Sequence, residues 1–337
     1  MGDERVALWG RIEAHLGEAT GQVAQVLGLR PLAGGACQDN LAVELELGGA
    51  RGRWVLRSDA PGGLAGSLRR REEFEVIGRA VAAGVPTPAA AWPSEGLVRP
   101  GAGAYFLAWR EGVAIGRKVL RDPGLERARA RLPAQLAEAL ARVHALRPPD
   151  PGLFDGAPAP ADPAEAALGS LRQSLDRLPV PLLGVELALR WLEDHPPAPG
   201  PVVLVHGDFR VGNFLVGPEG LEALLDWEFA HWGSPYEDLA WLCVRDWRFG
   251  KLHLPVGGLC EREPFYEAYA AASGAPVDPA AARWWEVYGN ARWAVGAAEQ
   301  AERYLEGGEA DLELLAIGRR SAEMEWEALR LIGGGHA

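Results

Sequence analysis

Cysteine is scarce in this chain, and its placement excludes two kinds of scaffold. The three residues, Cys37, Cys243 and Cys260, are odd in number and far apart, so neither a disulfide framework nor a C-x-x-C metal site is indicated. A reducing, cytoplasmic setting fits that usage. Long apolar runs are also missing, since none approaches the ~18 residues of a membrane span. The opening Met1-Gly2-Asp3-Glu4-Arg5 lacks the charged-then-apolar order of a secretory signal. The expectation is a soluble, unprocessed chain with no membrane partner. Positive charge is in deficit, with 34 Lys and Arg against 46 Asp and Glu and a net charge of −12. Nucleic-acid binders concentrate Lys and Arg against the phosphate backbone, so nucleic acid is not an expected partner. No internal repeat is visible.

What is present is an ordinary globular composition, 48% hydrophobic and 24% charged over 337 residues. Single cores stop growing at roughly 250 to 300 residues, so two lobes are expected. Thirteen tryptophans are many for this length. Most read as core or pocket wall.

One stretch carries chemistry. His206-Gly207-Asp208-Phe209-Arg210-Val211-Gly212-Asn213-Phe214-Leu215 is followed, thirteen residues after the Asn, by Asp226-Trp227-Glu228. Phosphoryl transfer needs a carboxylate to accept the proton of the attacking hydroxyl. It also needs an amide oxygen and a second carboxylate to hold Mg²⁺ against nucleotide phosphates. Asp208, Asn213 and Asp226 supply those groups in that order, and the step from Asp208 to Asn213 is the D-x-x-x-x-N of a kinase catalytic loop. The apolar runs 202–205 and 221–225 read as short buried strands that would fix both carboxylates at strand ends. Taken singly the fragments have plainer readings: H-G-D is also a turn whose Asp caps backbone amides, and D-x-x-x-x-N arises by chance. In order and in matching strand contexts they point to a kinase-like site.

Along the chain, residues 5–28 read as a helix with Val6, Leu8, Trp9, Ile12 and Leu16 on one stripe. Strands are expected at 26–32, 41–47 and 53–57. The glycine-containing segment 34–40 between the first two, opened by Gly34 and Gly35, is either a plain hairpin or a loop whose amides approach a phosphate. Arg57 closes the strand Trp54-Val55-Leu56-Arg57, where kinases carry a Lys on the nucleotide phosphates. It is equally readable as a solvated strand-end Arg, and its fork differs from an ammonium. A charged helix over 68–77 follows, in which Glu73 is the candidate partner of Arg57 and the other charges form a solvated face. Strands at 96–99 and 104–109 lead through Arg110-Glu111-Gly112 into a helical remainder, with helices at 125–146, 162–178, 235–247, 264–272, 279–305 and 311–332 and a Pro-rich connector at 147–161. The expected division is a small lobe over 1–109 and a larger one over 110–337.

These motifs resemble the aminoglycoside phosphotransferase and choline kinase superfamily, and within it the phosphotransferase domains associated with acyl-CoA dehydrogenases. The resemblance covers nearly the whole chain. It is carried by HGDFRVGNFLV, LLDWEFAHWGSPYEDLAWLCVRDWRFG, WVLR, ARWAVGAAEQAERYLEGG and DLELLAIGRRSAEMEW. It implies an α+β, protein-kinase-like fold of two lobes, with Asp208 as catalytic base, Asn213 and Asp226 as Mg²⁺ ligands, and Glu228 assisting metal or phosphate. It further implies that His206 orders the catalytic loop, that Asp238 hydrogen-bonds to it, that the adenine edge meets backbone near Trp109, and that His231 and Trp232 border either the acceptor or the core. Two departures stand out. Gly207 replaces the Arg of protein kinases and no A-P-E element follows, and the amino-terminal loop reads GGACQDN rather than a GGxSN-like pattern.

The expected activity is transfer of the γ-phosphoryl of ATP, or of GTP, to a hydroxyl of a small metabolite with Mg²⁺. A hydroxyacyl-CoA is the leading acceptor, its phosphates held with help from Arg69, Arg70 and Arg71. A cationic acceptor of the aminoglycoside or choline type is the alternative, since Trp faces attract cations. A pseudokinase that binds nucleotide without turnover is the rival from another class.

Overall fold

The computed structural model describes residues 2–32, 38–60, 66–307 and 311–334. It is a mixed α/β structure, with the sheet in the amino-terminal part and helices dominating the rest. The chain divides into two compact units: Met1–Gly112 with Asp150–Ala157 and Glu222–Ala230, and Val113–Pro149 with Pro158–Leu221 and His231–Ala337. The expected lobes were continuous segments, but here two later segments group with the sheet.

The first unit contains α1 (Gly2–Thr20), β1 (Ala24–Pro31), β2 (Gln38–Leu47), β3 (Ala50–Asp59), α2 (Arg70–Ala82), β4 (Ala90–Glu95) and β5 (Gly103–Ala108). Its antiparallel sheet has the order β1-β2-β3-β5-β4. Side chains alternate across a strand, and that period of two decides which face each residue of β3 and β5 serves. Leu56 pairs with Phe106 in register, and both pack with Leu8, Ile12 and Leu16 of α1 in one core. Their neighbours Arg57 and Tyr105, also paired, face the opposite way, towards α2. A strand-end Arg is thereby turned into a buried residue.

Two segments distant in sequence are sewn onto this sheet. Leu224 donates its N–H to Pro86 O at 2.7 Å. Thr87 Oγ1 donates to Leu224 O at 3.0 Å and accepts from Trp227 Nε1 at 3.0 Å, and Leu68 N–H reaches Glu228 O at 2.6 Å. Asp150 takes Arg79 Nε at 2.7 Å and Asp155 takes Arg69 Nη2 at 2.6 Å. The connector expected at 147–161 thus contributes ion-pair partners to α2.

The second unit holds α3 (Gly116–Arg121), α4 (Glu126–His144), α5 (Pro163–Arg177), α6 (Leu183–Asp194), β6 (Val203–Val205), β7 (Phe214–Gly217), β9 (His231–Gly233), α7 (Pro235–Trp241), α8 (Arg262–Ser273), α9 (Pro279–Leu305), α10 (Leu312–Gly318) and α11 (Ser321–Ile332); β8 (Gly220–Leu224) runs from this unit into the first. Its core gathers Leu189 and Leu192 of α6, Trp241 of α7, Trp284, Trp285 and Tyr288 of α9, and Met324 of α11. Helix starts follow local chemistry. Asp278 caps α9 through Ala280 N–H at 2.9 Å with Pro279 next in line. Ser234 and Glu237 form a reciprocal capping box on α7.

Several expected elements differ. The helix over 5–28 stops at Thr20, because Gly21 adopts φ +68° and bonds back to Gly17 O at 2.9 Å, a left-handed stop open to glycine. No strand forms at 96–99. Instead Gly96 and Gly101 take φ of +78° and +73° in a turn between β4 and β5, with Gly96 N–H on Ala102 O at 2.9 Å. Helix α6 was not anticipated, although its buried Val185, Ala188, Leu189 and Leu192 recur at helical spacing. The helix expected over 311–332 is two, α10 and α11, and the one over 235–247 ends at Trp241. Among the described residues no helix is long and apolar enough to cross a membrane.

Candidate active site

In the first unit, the sequence-derived residues Arg57, Glu73, Asp226 and Glu228 come together. Arg57 Nε donates to Glu73 Oε2 at 3.0 Å, and Nη2 lies 2.9 Å from Glu73 Oε1. This fork on a carboxylate is bidentate, which Lys could not reproduce. The same Nη2 is 2.7 Å from Asp226 Oδ1. Burial works against the guanidinium, yet Glu73 and then Asp226 hold its pKa well above the ordinary value, so the charge is permanent. Burial, followed by the neighbouring Glu73, raises the Tyr105 phenol well above its usual value and keeps it neutral.

Arg70, one turn before Glu73 on α2, is also buried. It bonds Asp59 Oδ1 at 3.0 Å, Leu68 O at 2.8 Å and Glu73 Oε2, and lies 3.7 Å from Glu228 Oε2. This corrects the expectation for Arg70, which cannot help hold CoA phosphates because α2 turns it inward onto Asp59 and Glu73. Arg69 is exposed and pairs with Glu72 and Asp155.

The cluster sets two cations, Arg57 and Arg70, against four carboxylates, Asp59, Glu73, Asp226 and Glu228. The deficit appears at Glu228. Burial, then the nearby Asp226, pushes its carboxyl up to about 7 despite Arg57 and Arg70. Asp226 itself has φ +65°, a left-handed backbone that Asp tolerates better than most residues. Among the described residues no group of three or more His, Cys, Asp or Glu side chains is arranged to hold a metal. Mg²⁺ bound with a nucleotide takes only one or two carboxylates and completes its shell with phosphate and water. The negative surplus at Asp226 and Glu228 therefore fits such an ion.

Trp109 follows β5, with the Arg53 guanidinium 4.8 Å from its ring centre. Gly34 and Gly35 lie outside the described residues.

In the second unit, β6 delivers the chain into His206-Gly207-Asp208, and α7 fixes that turn. The buried Asp238 carboxylate accepts His206 N–H at 2.6 Å and Gly207 N–H at 2.9 Å, and His144 Nε2 at 3.2 Å. Burial opposes its charge, but the hydrogen bond from His144, and then electrostatic attraction from His144 and His206 and the His206 N–H, hold the Asp238 pKa below its ordinary value. Gly207 takes φ +80°, which accounts for glycine where protein kinases have Arg.

Asp208 is surrounded by donors. Its Oδ1 accepts Trp241 Nε1 at 2.7 Å and Arg210 Nε at 3.0 Å; its Oδ2 accepts Asn213 Nδ2 at 2.6 Å and Arg210 Nε at 3.1 Å. Asn213 Nδ2 also bonds Asp208 O at 3.0 Å. With its donor side committed twice to Asp208, the amide has Oδ1 as its acceptor for a cation. Gly212, φ +120°, keeps this loop tight, since a Cβ there would stand 2.7 Å from Arg210 Nη1. Asp208 and Asn213 are thus brought together in this unit, and Asp226 and Glu228 belong to the other. His231 Nε2 is 3.0 Å from Glu237 Oε2, a contact within the α7 cap.

Sequence reading missed Trp241, Arg210, Arg292 and His144. Trp241 had a signal: it lies three residues after Asp238 on α7, and that spacing puts both on one helix face. Arg292 stands on α9, far from any motif, and reaches Gly207 O through Nη1 at 3.3 Å.

The phosphotransferase enzyme family matches this chain over residues 28–285. The mouse protein acyl-CoA dehydrogenase family member 10 is 29% identical over 209 residues, 56% of this chain but only 18% of that longer protein. Among solved structures, a provisionally assigned aminoglycoside phosphotransferase of Ralstonia eutropha superposes with a TM-score of 0.73 at 19% identity, covering 95% of this chain and 97% of its own. The GDP complex of aminoglycoside 2′-phosphotransferase-IIIa gives 0.62 at 15% identity, covering 95% and 98%. The fold is therefore that of the protein-kinase-like aminoglycoside phosphotransferases, and the chain belongs to the phosphotransferase enzyme family.

Proposed function

We propose that this phosphotransferase is a small-molecule kinase, transferring the γ-phosphoryl of ATP, with GTP the alternative, to an alcohol group, and that its leading acceptor is a hydroxyacyl-CoA. The observation that carries the reading is Asp208, a carboxylate oriented by Trp241, Arg210 and Asn213 inside the D-x-x-x-x-N loop. As the acceptor hydroxyl oxygen bonds to the γ-phosphorus and the bond to the bridging oxygen breaks, Asp208 takes the hydroxyl proton and the nucleoside diphosphate leaves with the bond electrons. Each Asp208 oxygen already accepts two hydrogen bonds, and one donor is proposed to yield when the hydroxyl arrives. Arg210, which shares one N–H between both oxygens, is the weakest held.

Asp226 and Glu228 of the first unit are proposed as carboxylate ligands for Mg²⁺, and Asn213 Oδ1 of the second as an amide ligand; bound with the nucleotide, the ion would supply charge compensation for the phosphates. Arg57, kept in place by Glu73, is the cation proposed for the nucleotide phosphates, with Gly34 and Gly35 as the proposed loop amides and the backbone near Trp109 for the base. The GDP bound by the 2′-phosphotransferase neighbour supports a nucleotide co-substrate. The mouse relative's name supports an acyl-CoA acceptor. The acidic composition, with a net charge of −12, supports an enzyme acting on small molecules, for which a cytoplasmic setting is proposed.

One contact favours a second reading. Arg57 Nη2 lies 2.7 Å from Asp226 Oδ1, an ion pair that would compete with a metal for that carboxylate in a pseudokinase that binds nucleotide without turnover. A screen of hydroxylated metabolites, including hydroxyacyl-CoAs, for Mg²⁺-ATP-dependent gain of one phosphate in mass separates the two. Nucleotide binding with no phosphorylated product from any acceptor, and no nucleotide consumption, would decide for the pseudokinase.

A further inference from the structure

The surroundings of Asp208 within the second unit carry information about the acceptor's charge. Two guanidinium groups flank the loop, each seated on an indole: Arg210 lies 4.6 Å from the Trp247 ring centre and Arg292 lies 4.4 Å from that of Trp241. The two rings are themselves 5.8 Å apart, so the cations stand on one aromatic platform. Trp241 joins that platform to the base through its 2.7 Å bond to Asp208.

The charges do not cancel. Arg210 is matched by Asp208 at 3.0 Å, and Asp246, which accepts Trp293 Nε1 at 2.9 Å, is matched by Arg320 at 3.0 Å. Arg292 makes one hydrogen bond, to the neutral Gly207 carbonyl at 3.3 Å. No carboxylate among the described residues lies within ion-pair distance of it. A guanidinium has five N–H donors, and stacking on Trp241 leaves its edges open to an acceptor lying in its plane. A positive charge is thus fixed on the carbonyl of the residue before the base, with no carboxylate among the described residues in ion-pair reach of it. A cationic acceptor would need carboxylates at that position and would meet Arg292 instead.

We infer that Arg292 selects an anionic acceptor, binding a carboxylate or phosphate oxygen of the hydroxylated substrate, and that aminoglycoside- or choline-like cations are excluded. This rests on the kinase reading above and sharpens it. The anion has two chemical sources, a carboxylate on the acceptor itself or the phosphates of a CoA thioester.

The test compares the full chain with its Arg292→Gln and Arg292→Lys variants on four acceptor classes at fixed Mg²⁺-ATP. These are free hydroxycarboxylic acids, their CoA thioesters, the uncharged N-acetylcysteamine thioesters, and choline with a representative aminoglycoside. Phosphate should pass to an anionic class. Arg292→Gln should raise that acceptor's KM roughly 10- to 100-fold, the effect of losing a charged hydrogen bond, with the ATP KM changed far less and Arg292→Lys partly restoring it. Dependence on Arg292 seen with free acids assigns the anion to the carboxylate. Dependence seen with CoA thioesters and lost with the uncharged thioesters assigns it to the CoA phosphates.

Efficient phosphorylation of a cation, or an equal Arg292→Gln effect on charged and uncharged acceptors, would overturn the inference and leave the kinase reading standing. Absence of both ATP binding and product would remove the kinase reading, and the inference with it. Should Arg292→Gln fail to fold, competition on the unaltered enzyme decides. Acids lacking the hydroxyl should compete with the acceptor and quaternary amines should not, and the reverse order would refute the assignment.

Discussion

Arg57 and Asp226 are joined by a 2.7 Å contact between Nη2 and Oδ1, so the candidate phosphate-binding cation and a candidate metal ligand are direct partners. Glu73 holds the other edge of the same guanidinium. Removing Arg57 strips the buried Glu73 of a bidentate partner and leaves Arg70 as its cation among the described residues. Arg57→Ala should cost about 3–5 kcal/mol of stability, read as a lower urea midpoint, and Arg57→Lys should cost less. In activity it should raise the nucleotide KM and leave the acceptor KM nearly unchanged. Equal effects on both, or none, would remove Arg57 from the nucleotide site.

Asp226→Ala removes one of the two carboxylates beside which Glu228 is forced up to about 7. If Asp226 is a metal ligand, phosphate charge is then uncompensated, and stabilisation by Mg²⁺-ATP should vanish from thermal unfolding scans. A variant stabilised as strongly as the parent would disprove the ligand role.

Asp208→Asn keeps the shape of the side chain and removes its basic oxygen. Turnover should fall roughly 10²- to 10⁴-fold, the range for a lost general base, while titration calorimetry with Mg²⁺-ATP should show binding largely intact. Trp241→Phe keeps an aromatic ring but removes the 2.7 Å donor to Asp208 together with part of the indole's packing, so a smaller fall of roughly tenfold is expected. Near-normal turnover in folded Asp208→Asn would refute the assignment.

Asp238 links the loop to pH. Its carboxyl is held below the ordinary value in the folded state, so the stability it contributes is fully present above the unfolded value of about 3.9. That contribution is lost as pH falls through the lower folded value. Melting temperature should therefore drop on the acid side of about pH 4. Asp238→Asn, which keeps one oxygen as acceptor and turns an amide donor towards the other backbone N–H, should show a flatter acid limb. A limb as steep as the parent's would show that other carboxylates dominate.

Sequence reading went furthest where local chemistry is enough. Asp208 and Asn213 sit within one turn, so their spacing states their geometry, and a cation at the end of β3 needs an acid on the next helix, which Glu73 supplies. Reading stopped where the third dimension decides. Arg70 appeared as one charge among many, yet the helix turns it inward. Arg292 reaches the loop from α9 across 85 residues, with no motif to mark it. Val185 to Leu192 shows how a short amphipathic run between two Pro-rich stretches escapes attention even with the right period. The break between α10 and α11 falls directly after Gly318, a signal that a continuous helix over 311–332 passed over.

The return of Glu222–Ala230 to the sheet-bearing unit sets how this protein can be dissected. Neither unit is a continuous piece of chain, so no single cut yields either one whole. A fragment ending at Gly112 would leave Thr87 without Trp227, Arg57 without Asp226 and Arg79 without Asp150. A fragment beginning at Val113 would carry Trp227 and its neighbours with nothing to dock on. Any minimal version of the sheet-bearing unit must graft the 222–230 loop back, and permuted or split forms should survive only where the break spares both of its crossings.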